Sequence, residues 1–271
     1  MLLKKTYEKT GIHAAWEASF RSHPLERRLN DNIMEQLLSH LHPPPQALFL
    51  DAGCGVGDHS LRIARHGYRC VGIDISEHVL RIARQNAEAN GLVGKIEFVC
   101  QAMEELAFAD NLFDAIHCRG VLMHIPDWEK ALANLCRVLK PGGRIAILES
   151  NHRAIEMFVV RLVRALTRRE SRMVPTPSGL EFWSEEDGAP FLVRFADIHH
   201  LMDRLRNLGM SPVGRISTSF WDINRFPEGM PRTAVIRFNH LYFRLHLPAF
   251  FAVGNAIIAE KLPAPVAHQT T

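Results

Sequence analysis

Asp51, Gly53, Gly55 and Gly57 stand at alternate positions in the run Phe49-Leu50-Asp51-Ala52-Gly53-Cys54-Gly55-Val56-Gly57-Asp58. Glycine adopts positive φ and lets a ligand lie against bare backbone, where amide N–H groups and the start of a helix face it. Asp74 follows 23 positions after Asp51. That is the distance at which the next strand of a nucleotide-binding unit offers a ribose-binding carboxylate. A carboxylate accepts two hydrogen bonds from a vicinal diol, which is the chemical reason for an acid there. Ile75, next in sequence, is placed to lie flat against an adenine ring.

The spacing also selects the kind of ligand. A dinucleotide fingerprint reads G-x-G-x-x-G. Counted from Gly53 its third glycine falls on Asp58, an acid that repels a diphosphate. An acid at the strand end, Asp51, suits a ligand with a positive ammonium group and no phosphate. S-adenosylmethionine has both properties and NAD has neither. The glycine run, with Cys54 inside it, resembles motif I of the class I S-adenosylmethionine-dependent methyltransferases, and residues 45 to 150 follow that family. Lys140-Pro141-Gly142-Gly143 before an apolar strand is a second signature of it.

The resemblance implies a Rossmann-like, doubly wound α/β sheet, mostly parallel with an antiparallel last strand. It implies S-adenosyl-L-methionine as cofactor, with S-adenosyl-L-homocysteine as product, and an adenine pocket at Ala102 and Met103. Members often carry an acid where this chain has Ala102, so backbone, Met103 or Gln101 must hold the adenine. Arg119, beyond the fourth strand, suits the cofactor carboxylate, since guanidinium binds carboxylates in a bidentate way. His124 is the titratable group best placed to deprotonate an acceptor, given a pKa near working pH. An N-terminal helical segment in the family often folds over the cofactor, which makes Tyr7, Trp16 and Arg21 candidate ligand contacts beside Trp221.

These side chains need a frame, and hydrophobic periodicity supplies one. Residues 1–45 read as an amphipathic helical lid with Trp16, Phe20, Leu25, Leu29, Ile33, Leu37, Leu38 and Leu41 on recurring faces; Pro24 starts a new helix. Residues 46–271 read as the catalytic domain. Strands are expected at 47–50, 69–74, 95–100, 113–118, 144–148 and 212–219, with the antiparallel strand at 254–261. Helices are expected at 59–65, 77–90, 127–139, 196–208 and 232–245.

Insertions at about 150–195 and 220–250 fall where a cap over the acceptor would be built, and both are read as helical. One helix is expected over 151–172. Its six arginines (153, 161, 164, 168, 169, 172) face two acids, a pattern that suits an anionic membrane surface, an acidic acceptor or RNA. Residues 181–190 read as an exposed link. The aromatics Phe182, Trp183, Phe220, Trp221, Tyr242 and Phe243 point to an apolar or aromatic acceptor.

Composition sets bounds. The chain has 271 residues, 47% hydrophobic and 23% charged, with a net charge of +3. That charge is too small to argue for nucleic acid by itself. Five cysteines with no C-x-x-C pair read as reduced residues of a cytoplasmic protein. No signal peptide or spanning segment is expected. His199-His200 lacks metal-ligand company, so no metal is expected. The leading expectation is methyl transfer to an oxygen or nitrogen of a small apolar or aromatic metabolite, with a homodimer as the expected assembly. A tRNA-modifying enzyme and a non-catalytic cofactor-binding module are the alternatives.

Overall fold

The computed structural model of the chain describes residues 23–167, 173–186 and 189–263. Tyr7, Trp16 and Arg21, the ligand contacts expected from the lid, lie outside the described residues.

Chain order begins with α1 (Pro24–Leu41), β1 (Leu48–Ala52), α2 (Asp58–Arg65), β2 (Arg69–Asp74), α3 (Glu77–Ala89), β3 (Ile96–Cys100) and β4 (Phe113–Arg119). Then come α4 (Trp128–Val138), β5 (Leu139–Ser150), α5 (Ile155–Leu166), β6 (Met173–Thr176), β7 (Gly179–Glu186) and β8 (Ala189–Ala196). The chain closes with α6 (Ile198–Asn207), β9 (Met210–Ser219), α7 (Met230–Arg244) and β10 (Gly254–Lys261). Seven strands form one sheet in the order β3-β2-β1-β4-β5-β10-β9. Neighbours from β3 to β5 pair in parallel, and β10 runs antiparallel to both β5 and β9. This is the doubly wound sheet with one antiparallel strand that the sequence predicts.

The strands are apolar runs because both faces of the sheet are covered. Phe49, Leu50, Ile73, Ala115, Ile116, Ile145 and Ile147 are fully buried. One face packs on α4 and α6 through Leu132, Leu135, Leu201 and Leu205. The other packs on α1 and α7 through Ile33, Leu37, Leu41 and Phe243. Pro24 occupies the first turn of α1, as expected, and the buried stripe below it docks the helix into the core. The Lys140–Gly143 turn is absorbed into β5 as an irregularity, since pairing passes from Phe113↔Leu139 directly to Ala115↔Arg144.

The first insertion departs from expectation. Residues 181–186 and 189–190 are not an exposed link; they lie within β7 and β8, which with β6 form an antiparallel sheet. Pro175 sits on the edge strand β6, where a missing donor is tolerated. The cap is therefore mixed rather than helical. The basic helix spans Ile155–Leu166 rather than 151–172. Its apolar residues stay uncovered, with Phe158 68% and Leu166 75% exposed, while Met157 and Glu156 are buried. Glu156 bonds the Asp222 amide and the Arg225 guanidinium, which anchors α5 to the second insertion.

Among the described residues no helix is long and apolar enough to cross a membrane. The cap sheet is sterically tight at Gly179, where φ is +131° and a Cβ would overlap the Phe195 carbonyl oxygen. Gly179→Ala is expected to cost roughly 2–4 kcal/mol through combined strain and overlap, read as a lowered urea midpoint. An unchanged midpoint would show that β7 and β8 separate freely there.

Candidate functional site

Strand order reverses between β1 and β4, and the loops after these strands diverge there to leave a crevice at the carboxyl ends. A cavity of about 750 Å3 fills it, lined by the glycine turn, the ends of β2 and β3, the loop after β4, the end of β5, α1 and both insertions. The turn is built by backbone bonds: the Gly53 and Cys54 amides donate to the Ile73 carbonyl, each at 2.8 Å, and the Gly57 amide donates to Cys54 at 2.9 Å.

The three glycines do different things. Gly53 (φ +73°) packs under Val121, whose side chain a Cβ would strike. Gly55 (φ +54°) has open space on its Cβ side and lines the cavity. Gly57 (φ +83°) is not among the lining residues; its Cβ position is 3.1 Å from Phe98 and 3.2 Å from Ala83. The expectation that Gly57 contacts ligand is corrected: it lets the head of α2 pack closely on α3 and β3.

Asp51 calls for a second correction. It is 2% exposed and absent from the cavity wall. One oxygen meets His117 Nδ1 at 2.8 Å, and the other accepts from Ser60 Oγ at 2.6 Å. His117 is its register partner on β4, and Ser60 lies in α2. The acid is consumed in joining three elements and does not face an ammonium.

Asp74 lines the cavity, accepting from the Gly55 amide at 3.1 Å and the Ser76 amide at 3.0 Å. Cys54, Ile75, Ala102 and Met103 line the same end. Burial pushes the Cys54 thiol up, so it stays protonated and acts as a small apolar wall. Gln101 accepts from the Ala107 amide at 2.9 Å, which holds the loop under Met103.

Arg119 lines the cavity with its Nη1 on Asn30 Oδ1 at 2.9 Å and His59 Nε2 at 3.1 Å. Burial lowers its pKa to about 10, so it remains a cation at neutral pH. His124 also lines the cavity, with Nδ1 2.7 Å from the Leu192 carbonyl. The carbonyl can only accept, so Nδ1 carries the proton and Nε2 is the basic atom. Burial lowers its pKa to about 4, which corrects the expectation of a histidine titrating near working pH. At the other end Phe191, Val193, Phe195, Trp221 and Ile236 form an apolar wall. Of the six aromatics singled out from the sequence, Trp221 alone lines the cavity. Phe220 and Tyr242 pack on each other with centroids 4.8 Å apart.

Residues 50–147 match the model of a family described as a methyltransferase domain. Over these residues the chain resembles the class I S-adenosylmethionine-dependent methyltransferase superfamily. It is 36% identical over 136 residues to the S-adenosyl-L-methionine-dependent Diels-Alderase iccD of Talaromyces variabilis, covering 48% of this chain and 45% of that one. It is 32% identical over 151 residues to a ubiquinone biosynthesis O-methyltransferase of Coxiella burnetii, covering 53% and 63%. The chain thus spans about half the length of the curated relatives it matches. In fold it resembles the Burkholderia thailandensis 1,6-didemethyltoxoflavin-N1-methyltransferase, with a TM-score of 0.60, 18% identity and coverage of 97% and 88%.

The cofactor of this superfamily is S-adenosylmethionine. An open Gly55, a cavity-lining Asp74 and a cationic Arg119 in one crevice are a donor and acceptor set that fits it. The cavity also holds residues that the motifs do not include. Glu26 and Asn30 lie on the buried stripe of α1 with Ile33 and Leu37, so helical periodicity could have flagged them. Phe191, Val193 and Phe195 alternate on β8, a period-2 signal hidden by the turn residues around it. Glu149 continues the inward face of Ile145 and Ile147 on β5 and is 5% exposed, with no hydrogen-bond partner for either oxygen among the described residues. Burial pushes its pKa up to about 8. The amides of residues 121–123 hold the rise back, although none meets either oxygen in hydrogen-bond geometry.

Two predictions follow from this geometry. Gly57→Ala should cost roughly 1–3 kcal/mol of stability from strain and crowding. Gly55→Ala should cost less stability and weaken cofactor binding; calorimetry and urea titration together would detect the opposite ranking. For Glu149 the folded pKa lies above the unfolded value, so the folded state keeps a proton that the unfolded state loses above about pH 4.5. Stability is lost as pH rises from there through about 8. Glu149→Gln should therefore gain on the parent between pH 5 and pH 9 by an amount on the order of 3–5 kcal/mol. A pH-independent difference in unfolding free energy would contradict it.

Proposed function

We propose that this chain transfers a methyl group from S-adenosylmethionine to a small apolar or aromatic molecule. The observation that carries the reading is one continuous cavity with two ends of different chemistry. The glycine turn and Asp74 stand at one end, and the apolar wall from β8 and the second insertion stands at the other. The sulfonium of the cofactor supplies an already activated methyl group. The work left to the chain is to align donor and acceptor and to keep water out, for which proximity alone is worth several kcal/mol.

In this reading Asp74 takes the ribose hydroxyls on a carboxylate already oriented by the Gly55 and Ser76 amides. Ile75 and Met103 sandwich the adenine beside Ala102, Arg119 takes the cofactor carboxylate, and Gly53 and Gly55 present backbone. Trp221 and the β8 aromatics pack on the acceptor. His124, neutral and oriented by the Leu192 carbonyl, accepts a hydrogen bond through Nε2 and is a weak base at most. The enzymes to which the chain is similar include O-, C- and N-methyltransferases and a Diels-Alderase. Transfer of label, and not cofactor binding alone, must therefore decide the activity.

Asp74→Ala should weaken S-adenosylmethionine by roughly 1.5–3 kcal/mol, the scale of hydrogen bonds to a charged group. Unchanged affinity would remove the ribose assignment. With methyl-labelled cofactor and a host extract, label is expected in the lipid or small-molecule fraction. Label confined to RNA would overturn the acceptor class in favour of an RNA-modifying enzyme that meets its substrate through the arginines of α5. No label despite cofactor binding would overturn the transferase reading.

A further inference from the structure

Two opposite charges line the same cavity without bonding each other. Arg119 spends Nη1 on two uncharged acceptors, Asn30 and His59, and forms no ion pair among the described residues. Glu26, in the first turn of α1, is 6% exposed, and its carboxyl accepts no hydrogen bond and forms no ion pair among the described residues. Burial raises its pKa to about 7, and the Arg119 charge is the largest influence holding it down. The other charged groups that act on it are Arg232, Asp58 and Asp222.

Three other acids, the strand-end Asp51 and the two whose charges act on Glu26, are committed. Asp51 is locked to Ser60 and His117. Asp58 lines the cavity but pairs with Arg62 at 2.5 Å, and Arg62 also holds Asp31 at 2.8 Å. Asp222 accepts from the Asn224 amide at 3.0 Å and lies 3.9 Å from Arg225. Glu26 and Glu149 are thus the buried cavity-lining carboxyls with bonding capacity to spare among the described residues, and Glu26 is the one that lies a helical turn from Asn30, the residue that holds Arg119. Burying a cation and an anion without pairing them is costly. A ligand that carries both charges on adjacent atoms relieves both costs, and an α-amino-acid group is such a ligand.

We propose that Glu26 and Arg119 together hold the α-amino-acid end of the cofactor, the ammonium on the Glu26 carboxylate and the carboxylate on Arg119. The proposal rests on the reading that this cavity binds S-adenosylmethionine. It moves the ammonium contact from the strand-end acid of the glycine motif to a helix that precedes the matched domain. Cofactor binding then bridges α1 and the end of β4, so the amino-acid end contributes to closing the cavity wall.

The test uses two nucleosides that differ in this end. S-adenosylhomocysteine carries the amino-acid group, and 5′-methylthioadenosine lacks it. Calorimetric titration of each into the full chain is compared for wild type, Glu26→Gln and Asp74→Ala. Glu26→Gln is expected to weaken S-adenosylhomocysteine about tenfold, the scale of one charged hydrogen bond, and to leave 5′-methylthioadenosine within about twofold. Retained 5′-methylthioadenosine binding also reports that the variant is folded. Asp74→Ala should weaken both nucleosides. Equal loss of both in Glu26→Gln, or no loss of either, overturns the Glu26 assignment and leaves the cofactor reading standing. Failure of both nucleosides to bind the wild-type chain overturns the cofactor reading and this proposal with it.

Discussion

A carboxylate buried where the sheet reverses its strand order needs hydrogen bonds from every side, and Asp51 draws them from different elements. Ser60 comes from α2 and His117 from the adjacent strand β4. Removing either partner would leave a charge short of hydrogen bonds in the interior, which is among the costlier defects a fold can carry. The bonds therefore fix how the glycine turn leaves β1 and where the end of β4 lies beside it. The His117 ring lies 4.8 Å from that of His59, and His59 in turn meets Arg119 at the cavity wall. The acid that heads the motif shapes the site from behind.

That arrangement leaves the cavity with an uneven distribution of charge. At the glycine end, backbone amides and Asp74 present directed polar groups, and the Arg119 guanidinium and the Glu26 carboxyl form no ion pair among the described residues. Beneath the loop after β4, Glu149 and His124 are buried deeply enough that their neutral forms are favoured at neutral pH. The nearby cation, Arg194, is committed to Glu181 and to the carbonyls of Leu122 and Ile125. Low local polarity strengthens whatever a bound ligand offers to these groups, and it penalises any ligand that leaves them unpaired.

Much of the frame was legible in the sequence because its signals are local. The strands of 48–52, 69–74 and 113–119 are short apolar runs bounded by turns, and α4 shows its stripe of Trp128, Ala131, Leu132, Leu135 and Val138. The glycine spacing selected the cofactor class because each positive φ is a property of one residue and its neighbours. The cap was harder to read. Prolines and acids around 175–188 mark loops in most contexts, and the alternation of Phe191, Val193 and Phe195 became meaningful only once β7 and the end of β5 lay beside it. The apolar face of α5 reads as a buried stripe, yet no element of the described residues covers it.

The sequence by itself determined the order of elements, the doubly wound sheet with its antiparallel strand, and the class of ligand held at the glycine turn. These follow from backbone freedom and from hydrophobic period, which act over a few residues. Tertiary structure alone decided which charged groups reach the ligand. Asp51 and Glu26 are both acids followed at short range by turn or helix residues that say nothing of their partners. One is consumed by partners 9 and 66 positions away, and the other lines the cavity with Arg119 and its carboxyl has no partner among the described residues. Hydrogen-bond satisfaction of a buried group depends on what the fold brings next to it, and no pattern along the chain encodes that.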